Sequence, residues 1–233
     1  MKFIKIPGIN GLGHTSSVKD TASLLFPNIE EIKINYHNIQ EQKEQIYNET
    51  KKLLDNENLF IIGGDHSISY PIGLAFLEKH NNPGLIIFDA HADCMPPLTE
   101  PTHEEWLSAL LTRNDIPVII IGLRKIENQE KEFIEKHNIL INPSIKEIKE
   151  FCKDKNIYVS FDIDSLDPSI APATYYLEKD GLTMEQAKNY IKEIPKSQIK
   201  IIDLVEIHTN YPKQELQTTL DSAKEIIQAF KQQ

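Results

Sequence analysis

Apolar residues gather in short runs along this chain, separated by longer polar stretches. Leu59-Phe60-Ile61-Ile62, Leu85-Ile86-Ile87-Phe88, Val118-Ile119-Ile120-Ile121 and Ile157-Tyr158-Val159 are rich in β-branched and aromatic residues. Unbroken apolar runs of this length fit strands covered on both faces. Lys2-Phe3-Ile4-Lys5-Ile6 reads as a first strand, with further strands expected over 29–36, 139–141 and 199–205. The stretches between them carry helical periodicity. Residues 38–56 form a polar helix with Ile46, Leu53 and Leu54 on its buried stripe, and 67–80 form a helix with Pro71 in its first turn. Thr102-x-x-Glu105 and Thr183-x-x-Gln186 are capping boxes that start two more helices, the second running to 194. Helices are also expected over 129–137, 145–155 and 213–231. About eight strands alternating with helices predict one α/β domain over 1–233, with a parallel sheet flanked by helices.

Composition narrows the function classes. The 233 residues suit one domain, and a hydrophobic content of 40% supplies a substantial core. A net charge of −10 with no offsetting basic patch argues against nucleic acid as a partner. No apolar run is long enough to span a bilayer, and the opening residues lack the apolar core of a signal peptide. Cys94 and Cys152 make no disulfide framework, so a cytoplasmic location is expected. The turn Gly8-Ile9-Asn10-Gly11-Leu12-Gly13 has neither Walker nor Rossmann spacing and reads as a loop. His14, His37, His80 and His137 fall in loops or near helix ends and need no special role.

The chemistry sits where strands end. Gly63-Gly64-Asp65-His66-Ser67, Asp89-Ala90-His91-Ala92-Asp93 and Ser160-Phe161-Asp162-Ile163-Asp164 each follow an apolar run. Side chains two apart on a strand share a face, so Asp89, His91 and Asp93 are expected to converge, as are Asp162 and Asp164. One D-x-D after a strand is often only a turn device. Two aspartate pairs with two histidines are better explained by cations held between carboxylates that otherwise repel. Oxygen-rich ligands with two imidazoles suit Mn²⁺ and tolerate other divalent ions. Two such ions roughly 3.5–4 Å apart can share a water and lower its pKa toward neutrality.

At these residues the chain resembles the ureohydrolases, the arginase and agmatinase family. Its members carry a G-G-D-H-S turn, a D-A-H-x-D strand end and an S-F-D-x-D-x-x-D-P segment, which stand here in the same order at 63–67, 89–93 and 160–168. The likeness continues through Asp203-Leu204-Val205-Glu206 to the last helix. It implies a single parallel sheet and two manganese ions per chain, with His66, Asp89, His91, Asp93, Asp162 and Asp164 as ligands. It also implies that Glu206 receives the guanidinium of a small cationic substrate, and that urea and an amine are released. His103 matches a histidine that agmatinase-like members use near the substrate. Its expected place in the first turn of a capped helix disfavours imidazolium, leaving a neutral ring able to pass a proton to the leaving amine. A homo-oligomer is compatible with the resemblance.

Departures concern the substrate. Where the family has small residues and G-T-P, this chain has Tyr175, Tyr176 and Leu177, so the two tyrosines are expected to form an altered substrate wall. His208 replaces the asparagine of V-E-V-N-P and reads as a loop residue. An agmatine-like substrate is expected ahead of arginine. Two alternatives remain open: a formimidoyl- or amide-cleaving hydrolase or deacetylase of the same fold, and a metal-binding protein without catalysis.

Overall fold

Eight parallel strands form one sheet in the order β2-β1-β3-β8-β7-β4-β5-β6. They are β1 Lys2–Ile6, β2 Glu30–Glu31, β3 Leu59–Gly63, β4 Pro83–Phe88, β5 Val118–Ile121, β6 Leu140–Ile141, β7 Asn156–Asp162 and β8 Ile199–Val205. The computed structural model describes residues 1–11 and 15–232. Leu12 and Gly13 of the glycine-rich turn, and His14, lie outside the described residues.

The apolar runs behave as buried strands because alternate residues feed two separate cores. Phe60, Ile62, Ile86, Phe88, Ile119 and Ile121 pack into one, while Leu59, Ile61, Leu85, Ile87, Val118 and Ile120 pack into the other. Helices α1 (Thr21–Leu25), α6 (Ile145–Cys152), α7 (Met184–Glu193) and α8 (Lys213–Gln232) cover the first face. Helices α2 (Ile39–Leu53), α3 (Ser69–Lys79), α4 (Trp106–Leu111) and α5 (Asn128–Lys136) cover the second. The result is a three-layer α/β/α fold.

After β3 the chain crosses to β4, and β7 and β8 later fill the gap between them. Four neighbouring strands, β3, β8, β7 and β4, therefore deliver their carboxyl ends side by side, the place where open α/β sheets bind ligands.

Two elements differ from their sequence patterns. The strand expected over 29–36 pairs only through Glu30 and Glu31. It is an edge with a partner on one side, and the Asn35 side chain accepts the N–H of His37 to turn the chain toward α2. The helix expected after Thr102 starts at Trp106. The Glu105 carboxylate accepts from Thr102 N and Oγ1 at 2.8 and 2.7 Å, so the box closes an irregular turn ahead of the helix. Thr183 and Gln186 make the expected capping box.

Candidate metal centre

Similar local devices aim the site residues. Oδ1 of Asp65 accepts the N–H of Ser67 at 3.1 Å, Asp89 does the same for His91 at 2.7 Å, and Asp162 for Asp164 at 2.8 Å. Each aspartate thereby bends the chain as it leaves its strand, an Asx-turn. The expected face-sharing along a strand is not the cause of convergence. β4 ends at Phe88, so Asp89, His91 and Asp93 all lie beyond the ladder, and Asp93 takes the left-handed conformation with φ 49°. Gly64 is glycine for a steric reason: a Cβ there would stand 1.8 Å from the Gly8 carbonyl oxygen. That close crossing lets Asp65 N–H reach the same carbonyl at 3.1 Å and sets the direction of the His66 turn.

The turns bring all six expected ligand residues together. His66, Asp89 and Asp93 form one trio of potential ligand atoms, and Asp89, His91 and Asp164 form another, so Asp89 belongs to both. His66 Nδ1 lies 3.2 Å from Asp89 Oδ2, 2.8 Å from Asp93 Oδ2 and 3.4 Å from Asp162 Oδ2. His91 Nδ1 lies 2.9 Å from Asp164 Oδ2 and 3.6 Å from Asp89 Oδ1.

These residues fit a metal pair on a specific observation. Among the described residues, buried His66 Nδ1 and Asp89 Oδ2 have no hydrogen-bond partner although they stand within contact distance of neighbouring ligand-type atoms. Both belong to a set of ligand-type atoms within 4.8 Å of one another, whereas buried polar atoms are normally hydrogen-bonded. An outer network fixes the imidazole. Ser160 Oγ donates to Asp203 Oδ1 at 2.7 Å, so it accepts from His66 Nε2 at 2.8 Å, which leaves Nδ1 free to bind a cation. Buried Asp203 also accepts from Ser69 Oγ at 2.8 Å and from the Tyr158 hydroxyl. Trp106 Nε1 donates to Asp93 Oδ2 at 2.9 Å.

Electrostatics make the same demand. Burial and the charge of Asp89 push Asp93 up to about 7, and burial with neighbouring carboxylates raises Asp162 and Asp164. Burial disfavours imidazolium at His91, but Asp164 and Asp89 outweigh it and push the ring up to about 12. The cluster requires positive charge at its centre, which divalent ions supply more fully than protons.

A cavity of about 320 Å³ opens above the cluster. Glu206 enters it from the end of β8 with φ 63°, its backbone N–H bonded to the Gly64 carbonyl at 3.1 Å. His103 is also on the wall, 3.9 Å through Nδ1 from Glu206 Oε1, and among the described residues neither ring nitrogen has a hydrogen-bond partner. It sits in the turn before α4, between Glu104 and Glu206, so the expected first-turn dipole does not govern it. Tyr175 and Tyr176 line the mouth in an edge-to-face pair 4.7 Å apart, and the Tyr176 ring lies 5.6 Å from that of His91.

Sequence reading passed over Trp106, Ser160, Tyr158 and His208 as site residues. His208, expected in a loop without a role, is buried with Nε2 3.2 Å from Glu206 Oε2. Arg124 was also missed: its guanidinium reaches the carbonyls of Gly122, Asp164, Glu178 and Lys179, tying the Asp164 turn to the cavity wall. A Gly-x-Arg following an apolar strand was the available signal.

A family model described as the arginase family matches residues 9–230. An arginase of Staphylococcus aureus is 29% identical over 206 residues, covering 75% of this chain and 68% of the relative. An agmatinase of Chromobacterium violaceum is 29% identical over 195 residues, covering 77% of this chain and 60% of the relative. Among solved structures, proclavaminate amidino hydrolase from Streptomyces clavuligerus superposes with a TM-score of 0.85 at 18% identity, over 98% of this chain and 90% of that one. Among the described residues no helix is long and apolar enough to cross a membrane.

Proposed function

Because the chain belongs to the arginase family, we propose that it is a two-manganese hydrolase of small cationic guanidino compounds, agmatine-like in preference, releasing urea and an amine. The observation that carries this reading is a pair of ligand trios sharing Asp89 beneath a cavity with Glu206 on its wall. His66, Asp89, Asp93 and Asp162 would hold one ion, and Asp89, His91, Asp162 and Asp164 the other. Bound there, two divalent ions lower the pKa of water enough to supply hydroxide near neutral pH.

The chain's own groups do the rest. Burial works against the Glu206 carboxylate, but contact with His208 and the neighbouring His103 holds it below its ordinary value. Glu206 is therefore anionic and pairs with a planar guanidinium through two parallel hydrogen bonds, fixing the trigonal carbon. His103 stands beside Glu206 with ring nitrogens that no described residue engages, so it can take up a proton from solvent on one nitrogen and deliver one to the leaving amine. Tyr175 and Tyr176 narrow the mouth against a bulky amino-acid backbone. Glu104, Glu127, Glu130 and Glu178 line the same cavity against a single lysine, Lys125, which supports a substrate with a second cation at its far end.

The test is a urea-release screen of agmatine, arginine and guanidino acids with Mn²⁺-loaded protein. Urea from agmatine at the highest kcat/KM is expected. No turnover of any guanidino compound by protein holding two ions, or turnover confined to a formimidoyl compound, overturns the reading.

A further inference from the structure

Glu206 is gripped from two sides. Its Oε1 accepts the backbone N–H of His66 at 2.8 Å, and its Oε2 faces His208 Nε2 at 3.2 Å. The other ring nitrogen, Nδ1, lies 3.1 Å from Ser17 Oγ, a residue 191 positions earlier in the chain. Three further bonds hold this arrangement. Thr209 Oγ1 donates to the Ser17 carbonyl at 2.7 Å, Thr21 Oγ1 to the Ile207 carbonyl, and His208 N–H to the Ala173 carbonyl at 2.9 Å. His208 is 3% exposed and Glu206 8%, so neither exchanges these partners freely with water.

The protonation pattern follows from the donors available. Glu206 as a carboxylate only accepts, so Nε2 of His208 carries the hydrogen that faces it. With Nε2 as the N–H donor, Nδ1 is the acceptor of a hydrogen bond that the Ser17 hydroxyl donates. A carboxylate has about four lone-pair positions on its two oxygens. The His66 N–H takes one on Oε1 and His208 takes one on Oε2. Among the described residues one position on each oxygen remains, which is what a guanidinium fork needs for two parallel bonds.

We propose that His208, oriented by Ser17, is a positioning residue that locks Glu206 to receive a guanidinium with both oxygens, an inference that rests on the function proposed above. Histidine at this position is a departure of this chain from the V-E-V-N-P pattern. The segment that carries Ser17, the 3₁₀ turn Thr15–Asp20, thus becomes part of substrate recognition without reaching the substrate.

The experiment compares Mn²⁺-loaded wild type with His208→Phe, His208→Gln, Ser17→Ala and the double variant Ser17→Ala/His208→Phe. The readouts are metal content and steady-state kinetics on agmatine. Losing a hydrogen bond to a charged group predicts that His208→Phe raises KM about tenfold or more, with kcat within about threefold. Metal content stays at the wild-type value. His208→Gln, which keeps an N–H donor, recovers most of the loss. Ser17→Ala raises KM less than His208→Phe and adds nothing in the double variant. Unchanged KM in His208→Phe beside an active wild type overturns the inference and leaves the functional reading intact. If His208→Phe does not fold, Ser17→Ala decides, and an unchanged KM there overturns it. A wild type inactive on every guanidino compound removes both.

Discussion

His66 Nδ1 and Asp93 Oδ2 stand 2.8 Å apart without a hydrogen bond between them. With its Nε2 donating to Ser160, His66 Nδ1 carries no hydrogen, so two lone-pair atoms face each other at contact distance, an arrangement that a cation between them relieves. The indole of Trp106 holds Asp93 from behind, and Ser160 holds His66 at its far nitrogen. Each ligand is thus aimed by a neighbour that does not itself face the cavity.

The trios are unequal in what they share, and this separates three variants. Asp89 serves both, whereas Asp93 belongs to the His66 trio and Asp164 to the His91 trio. Asp89→Asn is expected to bind close to no manganese by elemental analysis after reconstitution and dialysis. Asp93→Asn and Asp164→Asn should each retain about one ion, and all three should lose more than the roughly 10–100-fold in activity typical of outer partners. Equal metal loss in the three variants would contradict two compartments joined at Asp89.

Asp203 contributes no ligand atom to either trio, yet three side chains converge on it: Ser160, Ser69 and Tyr158. Its charge keeps the Ser160 hydroxyl turned away from His66 Nε2. Asp203→Asn offers donors where only an acceptor fits, so Mn²⁺ affinity is expected to fall about 10–100-fold. Tyr158→Phe leaves two of the three donors and should fall less. Competition titration with a metal-sensitive dye checks both, and wild-type affinity in Asp203→Asn would reduce the network to packing.

Much of this centre was legible in the sequence because chemistry restricts residue type. Paired aspartates and two histidines after apolar runs have few other uses, and the alternation of strands and helices placed them at one end of a parallel sheet. The manner of convergence was not legible. An Asx-turn at Asp89 and a left-handed Asp93 leave no periodic signature, so strand alternation predicted the right neighbours for the wrong reason. Outer partners were harder still. Trp106 reads as an apolar helix residue and Ser160 as strand, and only the register of β7 beside β8, with Ser160 opposite Asp203, reveals what they hold. His208 reads as a loop residue because its partner Ser17, at the other end of the chain, leaves no local signal. The short β2 fails for a related reason: an edge strand is set by its single neighbour, which local pattern does not contain.

Metal-free protein should lose stability as pH rises. The folded-state values of Asp93, at about 7, and His91, at about 12, both lie above their unfolded values. A raised folded value means the native state binds more protons, so the slope of unfolding free energy with pH is negative between the two values. For Asp93 that window runs from about 4 to 7, and for His91 from about 6.5 to 12. Asp89 is shifted the opposite way and acts only below this range. After chelation, the melting temperature is therefore expected to fall steadily from about pH 5 to pH 9. Mn²⁺ at a fixed concentration about a hundred times its Kd near pH 7 should restore about 2.7 kcal/mol per site there, and more at the alkaline end, where Kd falls because ligands need not release protons first. A melting temperature that climbs with pH in chelated protein would show that these shifts do not operate.

The tyrosine wall is expected to set substrate range. Tyr175 and Tyr176 are 40% and 44% exposed, so each ring shows one side to the cavity mouth and the rest to solvent. Their edge-to-face contact and the approach of Tyr176 to His91 hold the rings across the entrance. At a partly exposed site a ring face turned to a cation contributes about 0.5–1 kcal/mol. Tyr176→Thr should therefore lower kcat/KM for agmatine about 2–5-fold. Tyr175→Gly with Tyr176→Thr should also widen the mouth and raise arginine relative to agmatine. Tyr175 packs 5.8 Å from the His208 ring, so the single Tyr176 variant isolates the wall from the positioning of Glu206. Measured across agmatine, arginine and shorter guanidino acids, an unchanged order of kcat/KM in the double variant would place both rings outside substrate selection.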